Sequence, residues 1–232
     1  KRWDPDAPEN LSRAVVTLRD DAGRVVDESL PVRFGFREFR IDGRDFYLND
    51  ERIHLRALNI NNIASAADRA SVEGCVRTCE RLRDYGFNFF ITSNYHFKPG
   101  AVGYMDGLLE AVDRTGMLMA FSLPHIRDYK VDPKKRESFA AFARLTEWLV
   151  RRAQNHPGVI LYTMNHNSTG YKGDQNPLRI DGVWSPDGRA GQASWSSTTR
   201  AAAVVSAEIA NELDPTRPVY HHQSGNLGAM HT

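Results

Sequence analysis

Residues 156–168 decide the fold of this chain, and they are His156-Pro157-Gly158-Val159-Ile160-Leu161-Tyr162-Thr163-Met164-Asn165-His166-Asn167-Ser168. The Pro-Gly pair predicts a turn, the apolar run after it predicts a buried strand, and a polar cluster ends that strand. Barrels of alternating strands and helices carry their chemistry at the carboxyl ends of such strands. We therefore expect a functional site to begin where this strand ends.

From about residue 53 onward, helix-like and strand-like patterns alternate along the chain. Apolar residues that recur three and four positions apart predict helices at about 71–85, 105–116, 139–149 and 201–213. Short apolar runs predict strands that end near Leu58 or cover 89–91, 118–121, 159–162 and 218–220. Such alternation implies parallel strands joined by right-handed crossovers.

Two α/β folds have this alternation, the α/β barrel and the doubly wound sheet. Nucleotide-binding doubly wound sheets carry a Gly-rich phosphate loop after the first strand, and no such loop follows Leu58. This weakens the doubly wound alternative and leaves the (β/α)8 TIM barrel as the other fold that fits the pattern. A complete barrel has eight units over about 250 residues. The chain supplies about five units in its 232 residues, so we expect it to be part of a longer barrel.

The first 40 residues have the pattern of β structure. Residues 14–18 and 25–30 predict two strands joined by the turn-forming stretch 21–24, and residues 32–39 predict a third. Three strands do not form a stable sandwich alone. We therefore predict that residues 1–40 are the C-terminal strands of a β domain and that the barrel occupies 41–232. Two short strands around an Asn49-Asp50 turn are expected at the junction.

The composition is that of an ordinary globular protein, with a formal net charge of +1 and 41% hydrophobic residues. A near-zero charge gives no reason to expect a nucleic-acid partner or an anionic membrane surface. No apolar run approaches the ~18–20 residues that a membrane span needs. No secretory signal opens the chain, which says little about its compartment, and we weigh a periplasmic or extracellular location above a cytoplasmic one.

The two cysteines, Cys75 and Cys79, stand four positions apart and share one face of a predicted helix with apolar residues. We interpret them as two small core residues. A metal or redox pair is the alternative, although no CxxC or Cys/His ligand spacing accompanies them.

Polar side chains follow each of the five predicted strands, at the edge where a barrel carries its site. The candidate binding residues are Asn59, Asn61, Asn94, Tyr95, His96, His125, Asn165, His221 and His222. Amide and imidazole groups both donate and accept hydrogen bonds, which suits sugar hydroxyls, so we expect a carbohydrate substrate. The alternative is that these groups satisfy loop backbone and one another.

The stretch 169–195, between the fourth strand and its helix, holds glycines and prolines and little periodicity. Loops of this length are typical of binding loops or lids. Asp174 lies in it and is a second candidate for chemistry, although an Asp in such a loop more often serves a turn.

Six motifs occur in order along the chain, at 3–11, 34–37, 48–59, 85–88, 113–118 and 155–160. They include Phe34-Gly35-Phe36-Arg37 and Asn155-His156-Pro157-Gly158-Val159-Ile160. Together they resemble glycoside hydrolase family 2, the group of β-galactosidases, β-glucuronidases and β-mannosidases. The resemblance implies an immunoglobulin-like β-sandwich followed by a TIM barrel, retaining hydrolysis of β-glycosides by two glutamates, and no cofactor.

The resemblance also identifies two departures from the family pattern. Where the family ends strand four with an Asn-Glu pair, this chain has His166 and Asn167, so an amide stands in place of the acid/base carboxylate. An amide neither donates a proton to a leaving group near neutral pH nor acts as a general base. On strand two the family His position is Asn94. The nucleophile belongs to strand seven, which the family pattern places beyond Thr232.

Three functions remain open at this stage. The first is a glycosidase with an altered site, in which His166 or Asp174 donates the proton, or the substrate supplies assistance or a good leaving group. The second is a non-catalytic barrel that binds carbohydrate. The third is a metal-dependent hydrolase that would use His96, His125, His166 and His221 or His222. No carboxylate bridge or His-x-His pair supports the third, and we expect no metal.

Overall fold

The structure is a computed structural model, and it describes residues 1–61, 71–93, 102–164 and 197–221. Seven short strands come first. They are β1 (Ser12–Ala14), β2 (Thr17–Arg19), β3 (Val25–Glu28), β4 (Val32–Phe34), β5 (Phe39–Asp42), β6 (Asp45–Leu48) and β7 (Glu51–Ile53). They form three small antiparallel sheets, in which β1 pairs with β4, β2 pairs with β3, and β6 lies between β5 and β7.

Two predicted strands in this region are wrong as continuous elements. The predicted strand 14–18 is divided between β1 and β2 at Val16. The Ser29 N–H donates to the Val16 carbonyl and the Ser29 hydroxyl accepts from the Val16 N–H, so a side chain replaces a backbone partner and the regular ladder is interrupted at Val16. The predicted strand 32–39 is divided between β4 and β5, which belong to different sheets. The antiparallel return of residues 25–28 against 17–19 is confirmed.

The predicted Asn49-Asp50 turn is confirmed, and it connects β6 to β7. Both residues have positive φ, 52° and 74°, the backbone that a tight two-residue hairpin requires and that Asn and Asp tolerate. The Asn49 side chain donates to the Trp3 carbonyl over 2.9 Å. This hairpin thereby holds the beginning of the chain.

The other five strands of the described residues form one parallel sheet. They are β8 (Ala57–Asn61), β9 (Phe89–Ser93), β10 (Leu118–Ser122), β11 (Val159–Met164) and β12 (Val219–His221). The helices are α1 (Val72–Asp84), α2 (Val102–Thr115), α3 (Ala140–Ala153) and α4 (Ser197–Leu213). Spatial order equals chain order from β8 to β12, as in part of an α/β barrel, whereas a doubly wound sheet reverses direction at a switch point.

Local chemistry sets the helix ends where the structure describes them. The Ser71 hydroxyl accepts from the Gly74 N–H over 3.0 Å and caps α1. Gly116, with φ of 69°, ends α2 in a left-handed conformation. Three-residue and four-residue 3-10 turns, Ile126–Asp128 and Arg136–Phe139, precede α3. Within the described ranges, no helix is both long and apolar enough for a membrane crossing.

Successive residues of the parallel strands pack into two separate cores, because a strand alternates its side chains between its two faces. The helix-side cluster includes Phe90, Met119, Phe121, Val159 and Tyr162 together with apolar residues of the four helices. The inner cluster consists of Trp3, Phe39, Leu48, Phe89, Leu118, Ala120, Ile160 and Leu161. The N-terminal strands thus fill the inner face of the sheet from its amino-terminal end.

Cys75 and Cys79 are in the thiol form, and both are fully buried in the helix-side cluster. Burial raises the pKa of Cys79 to about 12, so its thiol stays protonated near neutral pH. Their interpretation as core residues is confirmed.

Candidate functional site

The carboxyl ends of β8 to β12 form one edge of the parallel sheet, here called the strand-end edge. The register aligns them: Asn61 lies opposite Ser93, and Ser122 lies opposite Thr163. His221 likewise lies opposite Met164. The carboxyl ends of the five strands therefore lie on one side of the sheet, the side at which the sequence predicts the site.

Four of the predicted binding residues lie in the part of the chain that the structure describes. Asn59 is exposed in β8, Asn61 ends β8, and His221 ends β12. His125 follows β10 by three residues and begins a 3-10 turn, with only 3% of its surface exposed. The structure thus brings residues of the first, third and fifth parallel strands to the strand-end edge.

One boundary in that prediction is corrected. The first parallel strand does not end near Leu58 but continues to Asn61, because Asn59 and Asn61 stay in register with Ile91 and Ser93. Both asparagines are therefore strand residues with backbone fixed by a neighbouring strand, rather than loop residues.

The other predicted site residues lie outside the described residues. They are Asn94, Tyr95, His96, Asn165, His166, Asn167, Asp174 and His222. The long connection 169–195 lies outside them as well. The roles assigned to these residues stay predictions.

Buried hydroxyls at the strand-end edge were missed by the sequence reasoning. The Thr92 hydroxyl accepts from the Ser122 N–H over 2.9 Å, and the Ser122 hydroxyl donates to the Thr92 carbonyl. Both residues are buried, so these bonds fix the end of β9 against the end of β10. The available signal was a hydroxyl residue among apolar ones near each strand end.

The opposite, amino-terminal edge of the sheet holds a second polar cluster, here called the arginine hub: Arg37, Asp113, His156, Asp214 and Arg217. Two guanidinium groups bind the carbonyls of the turn before β11. Arg37 donates to the Pro157 carbonyl over 3.2 Å and to the Val159 carbonyl over 2.6 Å. Arg217 donates to the same Val159 carbonyl over 2.7 Å, and to the carbonyls of Gln154 and His156.

Two buried carboxylates complete the arginine hub. Asp113 accepts from the Gly158 N–H over 3.0 Å, and its other oxygen lies 2.6 Å from His156 Nδ1. Asp214 accepts from the Tyr162 hydroxyl over 2.8 Å and from Arg217 over 2.7 Å. Hydrogen-bonded charges of this kind lock the segments that they join.

The electrostatics of the hub follow from burial and charge. Burial, with the Arg217 cation adding repulsion, lowers the pKa of Arg37 to about 9. For Asp214, burial acts to raise the pKa, but hydrogen bonds from Thr216 and the Arg217 charge outweigh it and leave the pKa below its ordinary value. Burial raises the pKa of Tyr162, so its hydroxyl stays a donor.

Three of the six family-like motifs, and the first residue of a fourth, meet in or beside the hub. Trp3 is fully buried and its indole N–H donates to the Asp113 carbonyl over 3.0 Å. A Cβ on Gly35 would lie 2.5 Å from Pro157 Cγ, so this position admits only glycine without a shift. The amino-terminal face of a barrel serves stability rather than chemistry. These motifs therefore join the N-terminal strands to the sheet.

No family model matches this chain. A β-galactosidase of Vibrio vulnificus is 26% identical over 234 residues, which cover 97% of this chain and 19% of that protein. A β-glucuronidase of Paenibacillus borealis is 22% identical, over 70% of this chain and 28% of its own length.

Solved structures agree with these relatives. A glycosyl hydrolase family 2 member from Bacteroides cellulosilyticus has a TM-score of 0.65 at 22% identity and is matched over 95% of this chain and 25% of its own. This chain resembles glycoside hydrolase family 2 proteins in sequence and in fold. β-Glucuronidase 3 of Bacteroides uniformis, at 24% identity and a TM-score of 0.61, shares the fold over 95% of this chain and 25% of its own.

The chain spans 19% and 28% of the two curated relatives and 25% of each of the two solved structures. The five parallel strands fit part of an α/β barrel. Within the described ranges, no group of three or more His, Cys, Asp or Glu side chains is arranged to hold a metal ion. The four-histidine hypothesis depends mostly on residues outside those ranges and stays a prediction.

Proposed function

We propose that this chain forms the first part of the barrel of a glycosidase that acts on β-linked saccharides, with its substrate at the strand-end edge. The observation that carries the proposal is the parallel sheet whose spatial order equals its chain order. It occurs in a chain whose relatives are a β-galactosidase and a β-glucuronidase. In such barrels the segments after the strands build the site.

The N-terminal ribbons belong, in this proposal, to an immunoglobulin-like sandwich. The support is their surface: Val16, Leu18, Val26 and Leu30 expose 60% or more of their side chains. Two-stranded ribbons with exposed apolar residues are not stable in water without further cover. A second layer of sheet would provide that cover.

For the chemistry, we propose that His166 or Asp174 supplies the proton that Asn167 lacks. An imidazole titrates near working pH and is able to donate to a leaving-group oxygen. The test is hydrolysis of 4-nitrophenyl β-D-galactoside and β-D-glucuronide by the full protein and by the His166→Ala, Asp174→Ala and Asn167→Glu variants. Loss of activity in one alanine variant identifies the donor, and unchanged activity in both removes the proposal for both residues.

A carbohydrate-binding barrel without catalysis is the second candidate, and the observation that favours it is Asn167 at the acid/base position. Calorimetry with the same two glycosides separates the candidates. Binding without turnover in the wild-type protein, together with turnover in Asn167→Glu, supports the second. Turnover by the wild-type protein excludes it.

A further inference from the structure

Strand β11 has one residue more than β10 in the stretch where the two strands pair. Met119 of β10 lies opposite Val159, but the next residue, Ala120, lies opposite Leu161, so Ile160 is the extra residue of a β-bulge. The packing shows the same shift. Ile160 and Leu161 both belong to the inner cluster, whereas neighbours in a regular strand face opposite sides.

The bulge changes which face of the sheet each later side chain of β11 occupies. Val159 lies in the helix-side cluster before the bulge, and Tyr162 and Met164 lie in it afterwards, so Thr163 faces inward. In a β11 without the bulge, Tyr162 would face inward and its hydroxyl would leave Asp214. The bulge therefore decides which face β11 presents as it reaches the strand-end edge.

A clamp of two arginines holds the residue immediately before the bulge. The Val159 carbonyl accepts from Arg37, in the segment between β4 and β5, and from Arg217, in the turn before β12. Both bonds have a charged donor and are stronger than ordinary amide hydrogen bonds. The carbonyl is thus fixed by groups from two segments outside β11.

The clamp is also an electrostatically costly arrangement. Asp214 lies 2.7 Å from Arg217 and neutralises its charge, whereas Arg37 donates to two neutral carbonyls. Burial and the nearby Arg217 charge disfavour the Arg37 cation. In some proteins such charges, although they cost free energy, fix a single geometry, and the two carbonyl contacts of the half-buried Arg37 fit that use.

We propose that Arg37 and Arg217 are positioning residues that hold the Ile160 bulge and so set the orientation with which β11 enters the saccharide site. The proposal rests on the proposed function only in naming that edge as the site. It links the N-terminal strands, which supply Arg37, to a site at the other end of β11.

The first experiment uses the wild-type protein and asks whether the bulge exists in solution. Methyl NMR should show contacts from Leu161 methyl groups to Leu118 and Ala120 of the inner cluster. Contacts from Leu161 to helices α2 or α3 instead would show a regular strand and would overturn the proposal. This measurement needs no variant that might fail to fold.

The second experiment removes the clamp. Arg37→Leu loses both hydrogen bonds, Arg37→Lys keeps the charge but not the two-pronged geometry, and Arg13→Leu, on exposed β1, is the matched control. Amide exchange at Leu161 and Tyr162 should rise about tenfold or more in Arg37→Leu, less in Arg37→Lys, and not in the control. Exchange that is unchanged in both Arg37 variants, or that rises equally in β9 and β10, would overturn the clamp.

A binding measurement on the same variants distinguishes a failure of this inference from a failure of the proposed function. If the wild-type protein binds 4-nitrophenyl β-D-galactoside or β-D-glucuronide, the Arg37 variants should bind it about tenfold more weakly and Arg13→Leu should not. Undiminished binding by Arg37→Lys together with faster exchange would show that the clamp does not position the site. If the wild-type protein binds neither glycoside, the proposed function fails, and the exchange and NMR results still decide the clamp.

Discussion

The two edges of the parallel sheet differ in what the chain has kept. At the amino-terminal edge, residues of three family-like motifs lie in the arginine hub, where charged groups bind the backbone, and Trp3 of a fourth motif lies beside it. The predicted acid/base positions, His166 and Asn167, follow β11 outside the described residues and differ in sequence from the family's Asn-Glu pair. The family-like residues that the structure describes thus serve packing, while the residues proposed for chemistry belong to segments that follow the strands in sequence.

The largest expected effect is at the arginine hub. Asp214→Ala leaves the Arg217 cation buried without its carboxylate, which should lower the free energy of unfolding by about 3–5 kcal/mol. Both side chains are at least 93% buried, so water does not replace the lost partner. Denaturant unfolding measures the change, with Asp42→Ala, on the exposed end of β5, as the control. Equal losses in the two variants would remove the distinction between hub and surface.

The next effect concerns the contact between the N-terminal strands and the turn before β11. Gly35→Ala places a Cβ against the rigid ring of Pro157, so one of the two segments must shift. We expect a loss of about 1–3 kcal/mol in the free energy of unfolding. Arg13→Ala, at an exposed position, should change it by less than about 0.5 kcal/mol. If the Gly35→Ala protein is as stable as that control, the contact between Gly35 and Pro157 is loosely packed.

The hub should also respond to acid through Asp214. Its pKa is lower in the folded chain than its ordinary value of 3.8, so the stability that it contributes is complete above that value. It is lost as the pH falls through the lower, folded pKa. The stability difference between the wild-type protein and Asp214→Asn should therefore narrow below pH 3.8. Unfolding curves at several pH values measure it, and a difference that widens in acid would contradict the assignment.

The smallest expected effect on stability is at the strand-end edge. Asn59 is exposed in β8, so Asn59→Ala should change the free energy of unfolding by only about 0.5 kcal/mol. If this edge binds a glycoside, the same variant should weaken binding roughly fivefold, the worth of about one hydrogen bond. Calorimetry measures the change in glycoside affinity, and denaturant unfolding measures the change in the free energy of unfolding. An Asn59→Ala protein that loses stability but keeps its glycoside affinity would contradict the assignment of binding to the strand-end edge.

The periodic part of the fold was predictable from residues close in sequence. Apolar spacing gave helices and strands that the structure confirms from 71 onward, and the Asn49-Asp50 turn followed from local backbone preference. The N-terminal strands were harder. Residues 14–18 and 32–39 look continuous in sequence, but each is divided between sheets by partners distant in the chain.

The candidate site was predictable only in its placement. Parallel strands bring their carboxyl ends together, so Asn59, Asn61, His125 and His221 could be assigned to one edge from order alone. The hub could not be assigned, because Arg37, Asp113 and Arg217 carry no local pattern that marks them as neighbours. Asp214-Pro215-Thr216-Arg217 looks like an ordinary turn until its charges are seen to be buried.

The amino-acid sequence by itself determined the alternation of strand and helix, the turn chemistry and the resemblance to glycoside hydrolase family 2, since these depend on short-range spacing. Only the tertiary structure decided the bulge at Ile160 and the clamp on Val159. Both require segments more than 50 residues apart in sequence, Arg37 and Arg217, to reach the same carbonyl. The physical reason is that the neighbouring strands decide which face of the sheet each side chain of a strand occupies, and one extra residue exchanges the two faces.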